Sequence, residues 1–279
     1  MLEIRIAKTA GFCFGVKRAV DMAFSNVKEA NTYTYGPIIH NEVITGALEK
    51  DGVYAIDDIE GREVNKLIIR SHGVSPEIYE KSEERGINIV DATCPYVKKI
   101  HNYVEKYHAN GYYIIVAGNE NHPEIQGING WAHNKCYIAK DVESLKAMHL
   151  PEGKYLLVAQ TTYKKEVVDA MKVYLEEQGI EFEYINTICN ATKERQEEVV
   201  QLAQQTDCML ILGSPKSANT KELFEISKKH CSNSYCVQGA VELKDEMFTG
   251  CNCVGITAGA STPQSVIEEV ITYINKLEQ

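Results

Sequence analysis

The stretch "DATCPYVKK" (91–99) decides how this chain is read. An apolar run, Ile87, Ile89 and Val90, ends in small polar residues, then a cysteine, then a proline that opens a helical pattern. Proline suits the first helical position, because the amide hydrogen it lacks has no partner inside the helix. Val97, Ile100, Val104 and Tyr107 then fall on one helical face. The stretch is a strand handing over to a helix, with a thiol at the junction. The same arrangement occurs twice more. Cys13 follows the strand-like "MLEIRIAKTA" and precedes the helical spacing of Val16, Ala19, Val20, Ala23, Phe24 and Val27. Cys189 precedes a broader stripe of Val199, Val200, Leu202 and Ala203.

The three cysteines lie 81 and 95 residues apart, and basic residues follow each: Lys17 and Arg18, Lys98 and Lys99, Lys193 and Arg195. A polar loop comes 27–30 residues later, with His40 in "GPIIHNE", His122 in "NHPE" and Asn219 in "KSANT". Three similar strings come next, "DDIEG" (57–61), "KDVES" (140–144) and "GAVEL" (239–243). Each copy then has a strand ending in a polar turn: "RSHGVSPE" (70–77), "QTTYKKE" (160–166) and "GASTPQS" (259–265). Length alone suggests about two domains. Features repeated in one order three times outweigh that prior and indicate three copies of a unit of about 90 residues. Apolar strands alternate with helical patterns, so the fold class is α/β with largely parallel sheets. The expected modules are 1–94, 95–189 and 190–279, with the C-terminal helix a candidate to pack on the first. No low-complexity linker separates them, which predicts close packing.

Composition is that of a globular protein, with 279 residues, 44% hydrophobic and 24% charged. A net charge of −10 disfavours nucleic acid as a partner. There is no apolar leader and no run of about 18 apolar residues, so the expectation is a cytoplasmic protein without a membrane partner. Nine cysteines in such a chain argue against a disulfide framework and towards metal, catalysis or burial.

Ligands of parallel α/β units bind at the carboxyl ends of the strands. Modules packed about a pseudo-threefold axis would bring the three thiols to one centre, ringed by His40, His72, His122, Thr161, Thr162, Ser217, Asn219 and Ser261. Cys94 would lie at a helix N-terminus, where backbone dipoles favour a thiolate. Three thiolates without an evident fourth ligand suit an iron–sulfur cluster better than structural zinc, which takes four ligands in close local pairs. Cys136, Cys208, Cys236, Cys251 and Cys253 read as buried structural thiols. The lesser candidate is a small zinc site from Cys231-x4-Cys236 with Cys251-x-Cys253. His101, His108, His133, His149 and His230 read as structural. Histidine, serine, threonine and asparagine beside helix N-termini form a cradle for phosphate oxygens. "GSPKSANT" (213–220) is of that type, without the Gly-x4-Gly-Lys pattern. Glu124 stands beside the cradle; it could relay protons or simply suit a helix dipole.

Nine motifs taken together resemble the 4-hydroxy-3-methylbut-2-enyl diphosphate reductase family. They are "AKTAGFCFGVKRAV" (7–20), "GPIIHN" (36–41), "RSHGVS" (70–75), "DATCPYV" (91–97), "GNENHPE" (118–124), "QTT" (160–162), "ICNATKERQEE" (188–198), "GSPKSANT" (213–220) and "TAGASTP" (257–263). The resemblance implies a trefoil of three α/β modules around one [4Fe–4S] cluster per chain, with Cys13, Cys94 and Cys189 as its ligands. It implies that His40, His72, His122, Thr161, Thr162, Ser217, Ala218, Asn219 and Ser261 bind a small diphosphate substrate. Glu124, with Thr161, would deliver protons while two electrons from a ferredoxin or flavodoxin cleave a C–O bond, giving isopentenyl and dimethylallyl diphosphates. The family loop often reads Asn-Ser-Ser-Asn; here Lys216-Ser217-Ala218-Asn219 removes a hydroxyl at Ala218, leaving its backbone N–H, and adds a cation at Lys216. Asn119 stands where a histidine or aspartate is common. The rival reading is a non-enzymatic iron–sulfur or zinc protein that binds a phosphorylated ligand.

Overall fold

A computed structural model describes residues 2–277. The chain opens on β1 (Glu3–Ile6). There follow β2 (Thr32–Tyr35), β3 (Tyr54–Ile56), β4 (Lys66–Ile69) and β5 (Asn88–Asp91), then β6 (Tyr113–Ala117), β7 (Tyr137–Ala139), β8 (Tyr155–Ala159) and β9 (Phe182–Tyr184). The last are β10 (Cys208–Leu212), β11 (Ser234–Val237) and β12 (Cys253–Ala258). They form three four-stranded sheets, ordered β3-β2-β4-β5, β7-β6-β8-β9 and β11-β10-β12-β1. Every pairing is parallel. Parallel neighbours need a crossover, which the intervening helices supply. Three parallel-sheet α/β modules are present, as the repeats predict. The strands β8, β10 and β12 are buried along their whole length, which is why they read as continuous apolar runs rather than alternating ones.

The opening strand departs from the expected module 1–94. Glu3 pairs with Cys253 and Ile6 with Ile256, so β1 completes the sheet of the last segment. The reason lies in the repeat itself. In each sheet the fourth strand leads to a cysteine: β5 to Cys94, β9 to Cys189 and β1 to Cys13. A copy therefore ends at its cysteine, and the last copy takes its final strand from the start of the chain. The C-terminal helix Gln264–Lys276 meets the first module through that opening segment. Its Ile267, Val270 and Ile274 pack with Leu210, Val254 and Ile256, and Leu2, Ile4 and Ala10 pack against the same cluster. Glu278 and Gln279, the end of the expected module 190–279, lie outside the described residues, as does Met1.

The chain divides into two compact units. One holds the residues up to Lys17, Ile39–Ala47 and those from Asn190 onward, and is built on the β11-β10-β12-β1 sheet. The other holds Arg18–Ile38 and Leu48–Cys189, with the two remaining sheets. Among the described residues no helix is long and apolar enough to cross a membrane.

Within the second unit the helix Pro123–Gly130 lies directly on the turn after β4. A Cβ at Gly130 would stand 2.3 Å from Ser75 Cβ, and one at Gly127 would touch Gly73 and His101. Trp131 Nε1 donates to Val74 O at 3.0 Å, and its ring stacks on His101, centroids 5.3 Å apart. The glycines of "PEIQGING" are what permit this approach. Alanine is the better helix former by up to about 1 kcal/mol, yet Gly130→Ala should destabilise by about 1–3 kcal/mol because Ser75 must move. Gly46→Ala, where a Cβ meets nothing within 4 Å, should stabilise instead. Urea midpoints at unchanged slope would show both signs.

Candidate active site

Cys13, Cys94 and Cys189 occupy one structural position three times. Each directly precedes a helix: Phe14–Phe24, Pro95–Ala109 and Asn190–Ala203. Each donates its backbone N–H to the turn after its sheet's third strand. Cys13 donates to Ala260 O at 3.3 Å, Cys94 to Ser71 O at 2.9 Å and Cys189 to Thr161 O at 2.9 Å. The carbonyls of Cys13 and Cys94 then accept the first helical bonds, from Lys17 and Lys98. The thiols are thereby fixed at the carboxyl ends of parallel strands, where ligand sites of this fold class lie. None of the three is in a disulfide, and all are partly exposed. The same turns carry His72, Thr161 and Ser261, so one backbone bond ties each cysteine to a predicted ligand-binding turn.

In the second unit the residues around Glu124 form one connected group. Glu124 is 2% exposed. Its Oε1 accepts from Thr161 N at 2.6 Å and its Oε2 from Thr161 Oγ1 at 2.7 Å. Burial pushes this carboxyl up to about 7, against the two Thr161 hydrogen bonds that favour its ionised form. The carbonyl of Thr161 in turn holds Cys189. His122 caps the helix Pro123–Gly130, its Nδ1 accepting from Glu124 N at 3.2 Å, so in the neutral ring the proton sits on Nε2. The His72 ring meets that of His122 edge-on, centroids 5.4 Å apart. Gln160, which the sequence reading passed over, is 2% exposed and braces this region. Its Oε1 accepts from Asn119 N and its Nε2 donates to Thr162 Oγ1. Thr162 is thus tied to a neighbour in its own turn.

In the first unit the turn after β10 leads into the helix Ala218–His230. Ser217 is its N-cap and accepts from Thr220 N at 3.4 Å. Ser217, Asn219 and Ser261 are buried. The Nδ2 of Asn219 has no partner among the described residues, and a buried donor left unpaired is costly unless a ligand meets it. Ala218 opens the helix and offers only backbone. Ser261 Oγ donates to His40 O at 3.3 Å. Lys216 Nζ pairs with Glu42 Oε1 at 3.1 Å on the surface. Gly213, at φ +141, and Gly259 leave room for the wholly buried Thr220, whose Oγ1 would stand 2.7 and 2.1 Å from a Cβ at those positions.

The basic residues after the cysteines are not free thiolate partners. Lys98 pairs with Asp91 at 2.5 Å, and Lys193 with Glu197 at 3.7 Å. Arg18 and Arg195 donate to backbone carbonyls. Among the described residues, no three of Cys208, Cys231, Cys236, Cys251 and Cys253 bring their sulfurs within ligating range of one another, so the zinc reading gains nothing. Cys208, Cys231 and Cys253 are buried, whereas Cys136, Cys236 and Cys251 are only partly so. His101 is 1% exposed, and burial pulls it down to about 4, a neutral core histidine as expected.

Comparison with known proteins gives one answer. The family model described as LytB protein matches residues 4–275. A protein of Caldanaerobacter subterraneus subsp. tengcongensis, a 4-hydroxy-3-methylbut-2-enyl diphosphate reductase by name, is 45% identical over 99% of this chain and 98% of its own. The solved structure of (E)-4-hydroxy-3-methyl-but-2-enyl diphosphate reductase, described as the terminal enzyme of the non-mevalonate pathway, is 41% identical with a TM-score of 0.72, over 99% of this chain and 100% of that one. The E-1-hydroxy-2-methyl-but-2-enyl-4-diphosphate reductase of Plasmodium falciparum is 28% identical with a TM-score of 0.90, over 100% and 88%.

The burial of Glu124 has a consequence for stability. The folded carboxyl, near 7, holds its proton more tightly than the unfolded one, near 4.5. Its contribution is therefore fully present below the unfolded value and is lost as pH rises through about 7, a change on the order of 3 kcal/mol. Relative to Glu124→Gln, the native chain should lose stability between about pH 5 and pH 8 in urea titrations. Parallel curves for the two would contradict the burial argument.

Proposed function

The chain belongs to the LytB protein family, and from that premise we propose that it reduces (E)-4-hydroxy-3-methylbut-2-enyl diphosphate to isopentenyl and dimethylallyl diphosphates. The observation that carries this reading is Glu124, a buried carboxyl poised near 7 and fixed by both donors of Thr161. Replacing an allylic C–OH by C–H takes two electrons and two protons and releases water. A group that must give up a proton near neutral pH works best with such a pKa.

The donor set fits a cluster. Three partly exposed cysteines outside any disulfide stand at helix N-termini, and no local cysteine pair of the kind structural zinc prefers accompanies them. Cys13, Cys94 and Cys189 would hold one [4Fe–4S] cluster per chain, which when bound supplies electrons and a Lewis acid. The remaining work falls to the chain. His40, Ser217, Asn219 and Ser261, with the backbone N–H groups of Ala218 and its neighbours, would bind diphosphate oxygens. His72 and His122 would also bind substrate, and Thr162 would support them through Gln160. Glu124 would deliver a proton, with Thr161 holding its carboxylate form. Binding energy from the distant diphosphate would position the reacting carbon. A ferredoxin or flavodoxin would supply electrons in the cytoplasm. The module borders near residues 94 and 189 belong to this proposal, amended by β1. A non-enzymatic iron–sulfur protein would leave Glu124 without a task.

Anaerobic reconstitution with iron and sulfide analysis tests the reading. We expect about four irons per chain, lost in Cys94→Ser. Glu124→Gln should keep the visible spectrum while turnover falls about 10²–10⁴-fold. A colourless chain that stays iron-free would overturn the redox mechanism. Asn219→Ala should raise KM about 10- to 100-fold, the effect of losing a hydrogen bond to a charged group. An unchanged KM would remove Asn219 from the diphosphate site.

A further inference from the structure

Two arginines hold the turns that lead to cysteines, and each stands on a helix that follows a different cysteine. Arg195 lies on Asn190–Ala203, the helix that begins directly after Cys189. It is 4% exposed, and its Nη2 donates to Gly11 O at 2.7 Å, two residues before Cys13. Its Nη1 donates to Ala191 O at 3.2 Å, which fixes the guanidinium against its own helix. One turn further on, Glu198 accepts from Lys8 N at 2.7 Å and from Thr9 N at 2.9 Å. The turn 8–11 is thus gripped at both ends by one helix. In the other unit Arg18 lies on Phe14–Phe24, the helix that begins directly after Cys13. Its Nη1 donates to Thr93 O at 3.2 Å and its Nη2 to Asp91 O at 3.4 Å, just before Cys94.

These turns need outside partners. β1 ends at Ile6 and β5 at Asp91; beyond them one backbone bond continues each ladder, Ala7 N to Ile256 O and Ala92 N to Ile69 O, and the arginines meet the carbonyls that lead on to the thiols. Gly11, at φ +96, adopts a backbone conformation that resists little by itself. A guanidinium is permanently charged and presents a rigid fork of donors, and its bonds to carbonyls are stronger than neutral ones. The third junction is held differently: Thr187 Oγ1 accepts from Ala159 N at 2.8 Å and donates to Ala159 O at 2.6 Å, and Ile185 packs on the cluster that contains Ile100 and Val104 of the helix after Cys94.

We infer that Arg18 and Arg195 are positioning residues of the metal centre, each using the helix after one cysteine to fix the turn before another. The inference rests on reading Cys13, Cys94 and Cys189 as ligands of one cluster. It makes the placement of each of these turns a property of the cluster-free chain, set before metal arrives.

Hydrogen exchange on the cluster-free full chain, followed by mass spectrometry, tests this directly. Arg195→Met should speed exchange in the segment 8–13 by about tenfold or more and leave 91–95 and 185–189 unchanged. Arg18→Gln should do the reverse, affecting 91–95 alone. Arg195→Lys, which keeps the charge but not the fork, should restore part of the protection. After anaerobic reconstitution both neutral variants should bind less iron than the native chain. Exchange that is unchanged in both variants, or that rises uniformly along the chain in both, would overturn the inference. A uniform rise in Arg195→Met alone means that this variant unfolds, and Arg18→Gln then decides: a rise confined to 91–95 supports the inference and no local rise overturns it. Failure of the native chain itself to bind iron would defeat the cluster reading, whereas the crossed exchange pattern would still report what the arginines hold.

Discussion

The candidate site depends on one backbone hydrogen bond made three times, from the amide of a cysteine to the turn after the third strand of its sheet. Cys13 reaches Ala260, Cys94 reaches Ser71 and Cys189 reaches Thr161. One such bond contributes only about 1 kcal/mol net, so its importance is geometric. It anchors the thiol through the main chain and makes no use of the cysteine side chain. It also explains the course of the chain. A cysteine needs a fourth strand to bring it level with that turn, and for Cys13 the strand is β1, which must therefore join the sheet of β10 and β12.

Glu124 shows why residue type alone does not decide a role. A glutamate in the first turn of a helix is ordinarily a dipole partner, better ionised than neutral. Here both carboxylate oxygens are taken by Thr161, a residue of the turn after β8, and the group is almost wholly buried. Desolvation and hydrogen bonding pull in opposite directions and desolvation wins, leaving the carboxyl near 7. The same helix is capped by His122, so one short element fixes the histidine and the carboxylate together. Gly127 and Gly130 let that element sit on the turn that carries His72. A dipole role alone would require none of this.

What was legible in the sequence was local. Continuous apolar runs gave the central strands, Pro95 and the spacing of apolar residues gave the helices, and recurrence gave the number of sheets. The pairing of β1 with β12 was not legible, because strand partners far apart in the chain leave no mark on either segment. Arg195 was visible as a charge, but its commitment to Gly11 was not, since a sequence shows a cation and not what it touches. Gln160 went unmarked because a glutamine after a strand has no distinctive pattern; only its position between Asn119 and Thr162 gives it a role.

Net charge is a poor guide to what this chain binds, and its helix N-termini show why. A chain of charge −10 has many acidic residues to place, and the first turn of a helix is a favourable position for them. Glu42, Glu77, Glu124, Glu143 and Glu166 take it. The helices that begin after Cys13, Cys94 and Cys189 have no acidic residue in the first turn. Nor do the helix capped by Ser217 and the one that follows Ser261. Five N-termini thus keep their positive ends uncompensated by acidic side chains, and all five stand at turns where a thiolate or a phosphate is the expected neighbour. A carboxylate there would compete with the ligand for the same amides. Glu42 and Glu124 are the first-turn acids that do stand beside predicted ligand histidines, and both are committed: Glu42 pairs with Lys216, and Glu124 takes both donors of Thr161.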